Sequence, residues 1–165
     1  DATELEVSWE RAVEEIGQRL SIGKDCALVT EGDPLLYSTF VHVHRQLRKR
    51  YPQVEVEVVP GVSSILAAAA AAQVPLADGD ETVAVLPATG SPEMLELALS
   101  RFDTVVLLKV SRAVDKVLSL LGRLHLEDKA VFVSRASSST EEVITHIESL
   151  RGRSLEYMSL IIVRK

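Results

Sequence analysis

The chain has 165 residues, 47% hydrophobic and 25% charged, with a formal net charge of −6. That is a globular mix, long enough for one domain or two small halves and for a real core, and too acidic for a general phosphate-backbone binder. The single cysteine, Cys26, excludes an internal disulfide and a multi-cysteine zinc site. Charged residues break every apolar run before it reaches bilayer length. Residues 1–10 are acidic and lack the basic and apolar regions of a signal peptide. The expectation is a soluble cytoplasmic protein with no membrane or nucleic-acid partner. With no initiator Met, the chain is expected to start partway through a longer protein.

From the N-terminus, Val13, Ile16 and Leu20 form one face of a helix. Ala27–Thr30 reads as a strand beside Cys26, which is expected to be a small buried hydrophobe. A helix carrying His42 and His44 follows, ending in the basic cluster Arg45, Arg48, Lys49 and Arg50, a charge sign favoured at a helix C-terminus. Val54–Val59 alternates Val with Glu, as an outer strand does when one face meets solvent or a partner. Ala67–Ala72 is the small-residue face of a helix that can approach a sheet closely. Pro75, Asp78 and Gly79 break the pattern after Gln73, dividing the chain into 1–74 and 75–165. Beyond the break, Thr82–Leu86, Thr104–Lys109, Ala130–Ser134 and Met158–Val163 read as strands. Ser91-Pro92 caps one helix, Val114, Val117, Leu118, Leu121 and Leu124 line another, and Ser139 with Glu142 fits the capping box of a third. This alternation predicts an α/β protein whose sheets are largely parallel or mixed.

Two segments follow strands directly and precede helices, the position where α/β proteins bind ligands. In Thr30-Glu31-Gly32-Asp33-Pro34, Gly32 allows a turn and Asp33 either caps a helix started by Pro34 or accepts hydrogen bonds from a ligand. Tyr37, Ser38 and Thr39 lie just behind, a dense polar set. In Pro60-Gly61-Val62-Ser63-Ser64, Gly61 suits a sharp turn, and Ser63 and Ser64 either face a ligand or cap the next helix. His42 and His44, two apart on a helix, point in different directions and make a poor metal pair, with His125 and His146 far off. No Walker loop, Gly-x-Gly-x-x-Gly or Gly-x-Ser-x-Gly elbow occurs. Lys109, at a strand end, reads on its own as a snorkelling side chain.

Taken together, Glu31-Gly32-Asp33-Pro34-Leu35-Leu36-Tyr37-Ser38-Thr39-Phe40 and Pro60–Ser64 resemble the tetrapyrrole methylase family, whose members are S-adenosylmethionine-dependent. Thr104–Lys109, Ser134-Arg135-Ala136-Ser137 and the closing strand Ser159–Val163 are similar to further family motifs. The wording of 31–40 looks most like the precorrin-2 C(20) branch. The resemblance implies two α/β lobes, with the cofactor between them presenting its methyl to C-20 of precorrin-2 or its cobalt form, a step of cobalamin biosynthesis. By carry-over, Gly32, Asp33, Ser63, Ser64, Lys109, Ala136 and Leu160 are the cofactor-side residues, and Tyr37 and Ser38 belong to the cofactor or tetrapyrrole side. Asp33 or water takes the proton released after transfer. The implied products are the methylated tetrapyrrole and S-adenosyl-L-homocysteine, with no protein-bound metal and a homodimeric assembly. The family's first strand and its Gly-Pro-Gly-Asp-Pro loop are absent from these residues, so the isolated chain is expected to be inactive. The alternatives are another family methyltransferase, for a different corrin position or a diphthine synthase, and a ligand-binding remnant without catalysis.

Overall fold

The computed structural model describes residues 2–165. They form two compact units that part between Ser63 and Ser64, ahead of the boundary expected at 74/75.

In the first unit, α1 (Ala2–Ser21) packs on α2 (Phe40–Arg50). Val13, Val43 and Leu47 are buried at the contact, and Trp9, Ile16, Tyr51, Val54 and Val56 surround them. His42 stacks on Trp9 at 4.0 Å between ring centroids, and His44 on Phe40 at 5.2 Å. The basic end of α2 is exposed, as expected of a solvated terminus, and Arg50 reaches Glu14 at 3.9 Å.

The two strands expected in this half, 27–30 and 54–59, form no ladder. Alternation fixes which side chains share a face, but a strand also needs a neighbour for its N–H and C=O groups. Neither segment has one among the described residues. The alternation of 54–59 survives at the side chains, with Val54, Val56 and Val58 half-buried and Glu55 and Glu57 exposed. The segment around Ala27 stays open instead: Val29 is 91% exposed, and Cys26 is exposed rather than buried.

The second unit begins with α3 (Ser64–Ala72) and continues through β1 (Val83–Pro87), α4 (Pro92–Arg101), β2 (Thr104–Leu108), α5 (Val114–Leu124), β3 (Ala130–Ser134), β4 (Glu142–Ile144) and β5 (Ser159–Arg164). The sheet order is β1-β2-β5-β3-β4. β1 and β2 are parallel, whereas β5 runs antiparallel to both β2 and β3, and β4 antiparallel to β3. The sheet is therefore mixed, because the last strand inserts in reverse between two co-directed ones.

Period-two alternation sorts the strand residues between two apolar layers. Val105, Leu107, Phe132, Ile161 and Val163 pack with Leu95 and Leu99 of α4 and Val117, Leu118 and Leu121 of α5. Val106, Val131, Val133, Leu160 and Ile162 pack with Ile65 and Ala68 of α3. The alanine-rich stretch thus lies against the sheet, as its small side chains predict.

The helix expected after Ser139 is not formed; that segment is β4 followed by a single helical turn at Ile147–Leu150. The polar residues there build a tight turn instead. The Glu141 carboxylate accepts the Ser137 N–H at 2.6 Å, and the Ser138 hydroxyl accepts the Thr140 N–H at 3.2 Å. The segment read as a linker is anchored too, since Arg164 donates to the Glu81 carboxylate at 2.9 Å and to the Pro75 carbonyl.

Candidate functional site

The two turns around Gly32–Asp33 and Pro60–Gly61, expected to follow strands, are bonded to each other, although among the described residues neither segment before them is paired in a sheet. Asp33 Oδ1 accepts the Leu35 N–H at 2.9 Å, and Oδ2 accepts the Gly61 N–H at 3.0 Å. Gly32 has φ +74°, a conformation glycine adopts without strain. A Cβ at Gly61 would lie 2.3 Å from the Gly32 carbonyl oxygen, so only glycine permits this approach. The Gly61 amide, and then the Leu35 amide, hold the Asp33 carboxyl below the usual carboxylate range. With both oxygens accepting main-chain bonds, the carboxylate is a poor acceptor for a further proton.

Asp33 does not cap a helix started by Pro34. The residues after it are turns, and α2 begins only at Phe40. The hydroxyl that serves that helix start is Ser38, which accepts the Phe40 N–H at 3.2 Å and lies 3.1 Å from the Thr30 hydroxyl. Tyr37 is exposed, with φ +54°. Ser63 is half-buried at the end of the first unit.

In the second unit, β1, β2 and β3 point the same way, so their carboxyl ends share one edge with the start of β5. Lys109 follows β2 in a left-handed conformation at φ +59°, and Arg135 follows β3 at φ +50°. Non-glycine residues in this region cost energy and gather at functional sites. Ala136, beside Arg135, is half-buried, and Ser64 is the exposed first residue of α3. Lys109, Ala136 and Leu160 therefore come to one edge. The Leu160 side chain is buried in the layer facing α3, leaving only its main chain for any ligand contact.

Two further features lie at this edge. Thr89-Gly90 links β1 to α4 beneath the Ser91 cap, whose hydroxyl accepts the Met94 N–H at 3.3 Å, and the Gly90 carbonyl accepts from Lys116 at 2.7 Å. Arg135 also anchors its surroundings: its N–H donates to the Met158 carbonyl at 2.8 Å, and its guanidinium reaches Thr140 at 3.1 Å and Glu156. A polar groove of about 230 Å³ lies beside it, where Arg153 pairs with Glu142 at 3.2 Å. Glycine before Ser-Pro was the one hint of the first, whereas Arg135 stands in the Ser134–Ser137 segment already noted as similar to a family motif, which says nothing of its contacts.

Co-directed strands ending in turns on one edge of a helix-flanked sheet are the architecture of α/β ligand-binding enzymes. Among the described residues, no helix is long and apolar enough to cross a membrane. The chain belongs to the tetrapyrrole (corrin/porphyrin) methylases, whose family model matches residues 1–151. It is 34% identical over its whole length to a probable cobalt-precorrin-2 C(20)-methyltransferase of Methanocaldococcus jannaschii, spanning 68% of that protein. It is 36% identical to the cobalamin biosynthesis protein CobIJ of Mycobacterium tuberculosis, over 94% of this chain but only 30% of that longer one. Among solved structures, the cobalt precorrin-4 methyltransferase CbiF superposes with a TM-score of 0.78 at 28% identity, over 94% of this chain and 70% of the other. Uroporphyrin-III C-methyltransferase from Thermus thermophilus, crystallised with S-adenosyl homocysteine, matches at a TM-score of 0.57 and 26% identity, over 81% and 63%.

Proposed function

We propose that the protein carrying this chain transfers a methyl group from S-adenosylmethionine to C-20 of precorrin-2, or of its cobalt form, in cobalamin biosynthesis. The observation that carries this reading is the similarity, along this whole chain and 68% of the relative, to a probable cobalt-precorrin-2 C(20)-methyltransferase, together with the motif Glu31–Phe40. The turns after β2 and β3 and the start of α3 suit such a cofactor chemically: main-chain groups, the small Ala136, a cationic Lys109, and the hydroxyls of Ser63 and Ser64. We assign Gly32, Ser63, Ser64, Lys109, Ala136 and the main chain of Leu160 to the cofactor, and Tyr37 and Ser38 to the cofactor or tetrapyrrole.

Bound S-adenosylmethionine supplies an already electrophilic methyl, so the protein's task is to bind, orient and exclude water. No strong base is needed for the transfer, in keeping with an Asp33 carboxylate occupied by two amides. A cytoplasmic homodimer without a protein-bound metal completes the proposal.

The test is to incubate the intact protein with precorrin-2, with and without cobalt, and methyl-labelled cofactor. One added methyl located at C-20 by NMR supports the assignment. A second reading, methylation at another corrin position, draws on the high structural similarity to the precorrin-4 enzyme. A label on any other carbon selects it.

A further inference from the structure

We propose that Asp33 is a positioning residue: its carboxylate pins the Gly61 turn against Gly32 and thereby sets the shape that Gly32 and Ser63 offer a cofactor. In its reference to a cofactor this rests on the methyltransferase reading above; the pin itself does not. The two oxygens divide their work. Oδ1 closes the local turn through the Leu35 N–H, while Oδ2 spans 28 residues of sequence to the Gly61 N–H. The approach is tight, because there is no room for even a methyl group between Gly61 and the Gly32 carbonyl. Geometry and charge therefore act together. The glycine allows two main chains to touch, and the carboxylate holds them there with charge-assisted bonds, the stronger kind. A carboxylate so engaged is the weaker base for it, which is why the role assigned here is positioning.

Asp33→Asn is the informative variant, because an amide keeps one acceptor oxygen but turns an NH₂ group toward one of the two N–H donors. Gly61→Ala opposes the same contact from the other side. In the intact protein, hydrogen exchange at the Gly61 amide is expected to speed up at least about tenfold in Asp33→Asn, with second-unit amides unchanged as the check on folding. Affinity for S-adenosylhomocysteine, measured by calorimetry, is expected to fall about tenfold. The kcat at saturating cofactor should stay within about threefold of the parent, with an unaltered pH profile. Gly61→Ala should reproduce the affinity loss, and the double variant should lose no more than the worse single one, as for one shared contact.

Unchanged Gly61 exchange in Asp33→Asn overturns the pin. A kcat lowered about a hundredfold with intact affinity and a lost limb of the pH profile overturns it in favour of a catalytic base. If the parent protein binds no S-adenosylhomocysteine, the methyltransferase reading falls, while Gly61 exchange still decides the pin.

Discussion

At the scale of single residues, Asp33 shows how a carboxylate can serve architecture, joining two turns 28 residues apart in sequence. Its folded pKa lies below the usual value because two main-chain amides stabilise the charged form, that of Gly61 most. The sign of the linkage follows. A depressed carboxyl contributes its stabilisation above the unfolded pKa and loses it as the pH falls through the folded one. The Gly32–Gly61 contact is therefore expected to hold at neutral pH and to loosen only in acid below the ordinary aspartate range. An NMR titration of the Asp33 carboxyl carbon checks this, and an inflection at or above the ordinary value would remove the two amides as the cause. Lys109 and Arg135 make a second residue-scale case, both left-handed at the ends of strands. Replacing either by glycine should relieve backbone strain of about 1 kcal/mol or more. Arg135→Gly also removes the guanidinium's contacts with Thr140 and Glu156. Lys109→Gly is expected to weaken binding of S-adenosylhomocysteine, read by calorimetry on the intact protein, and unchanged affinity would remove Lys109 from the proposed cofactor residues.

Among the elements, those that bury a full face are the ones the sequence spells out. α5 places Val117, Leu118 and Leu121 against the sheet with essentially no exposure. Leu118→Ala should then cost about 2–5 kcal/mol, seen as a lower denaturation midpoint with little change in slope. Ser91→Ala, which removes the cap of α4, should cost about 1 kcal/mol. The same physics governs what could be read in advance. β2, β3 and β5 are buried runs of Val, Ile and Leu, and α4 begins at a serine followed by proline, so these elements were legible within a residue or so. The reversed direction of β5 was not, because a strand buried on both faces has the same composition either way round. β4 was hidden because Ser139 and Glu142 mimic a helix start, and only the three-dimensional turn at 137–141 decides against it. Segments 27–30 and 54–59 have strand-like side chains, but pairing is a property of neighbours and does not appear in local sequence. The site was legible as two glycine turns and a polar cluster. The Asp33–Gly61 bond that joins those turns was not, since nothing local in either segment points to the other.

On the scale of the whole molecule, the two units should differ in how they resist opening. The second has a sheet covered by helices on both faces, whereas residues 21–32 of the first are exposed throughout. Amides of β2, β3 and β5 are expected to exchange only near global unfolding, and those of 25–32 to exchange within the dead time of the measurement. Uniform protection across both units would contradict this contrast. The chain spans 68% of the Methanocaldococcus protein and 30% of the mycobacterial CobIJ. We propose that Gly32 and Ser64 belong to the residues that hold S-adenosylmethionine in this tetrapyrrole methylase. The most direct test is calorimetric titration of the intact protein with S-adenosylhomocysteine, alongside Gly32→Val and Ser64→Trp variants whose second-unit amide protection is unchanged. One site per chain in the parent and at least about tenfold weaker binding in both variants is the expected result. Equal affinity in all three proteins would place the cofactor elsewhere.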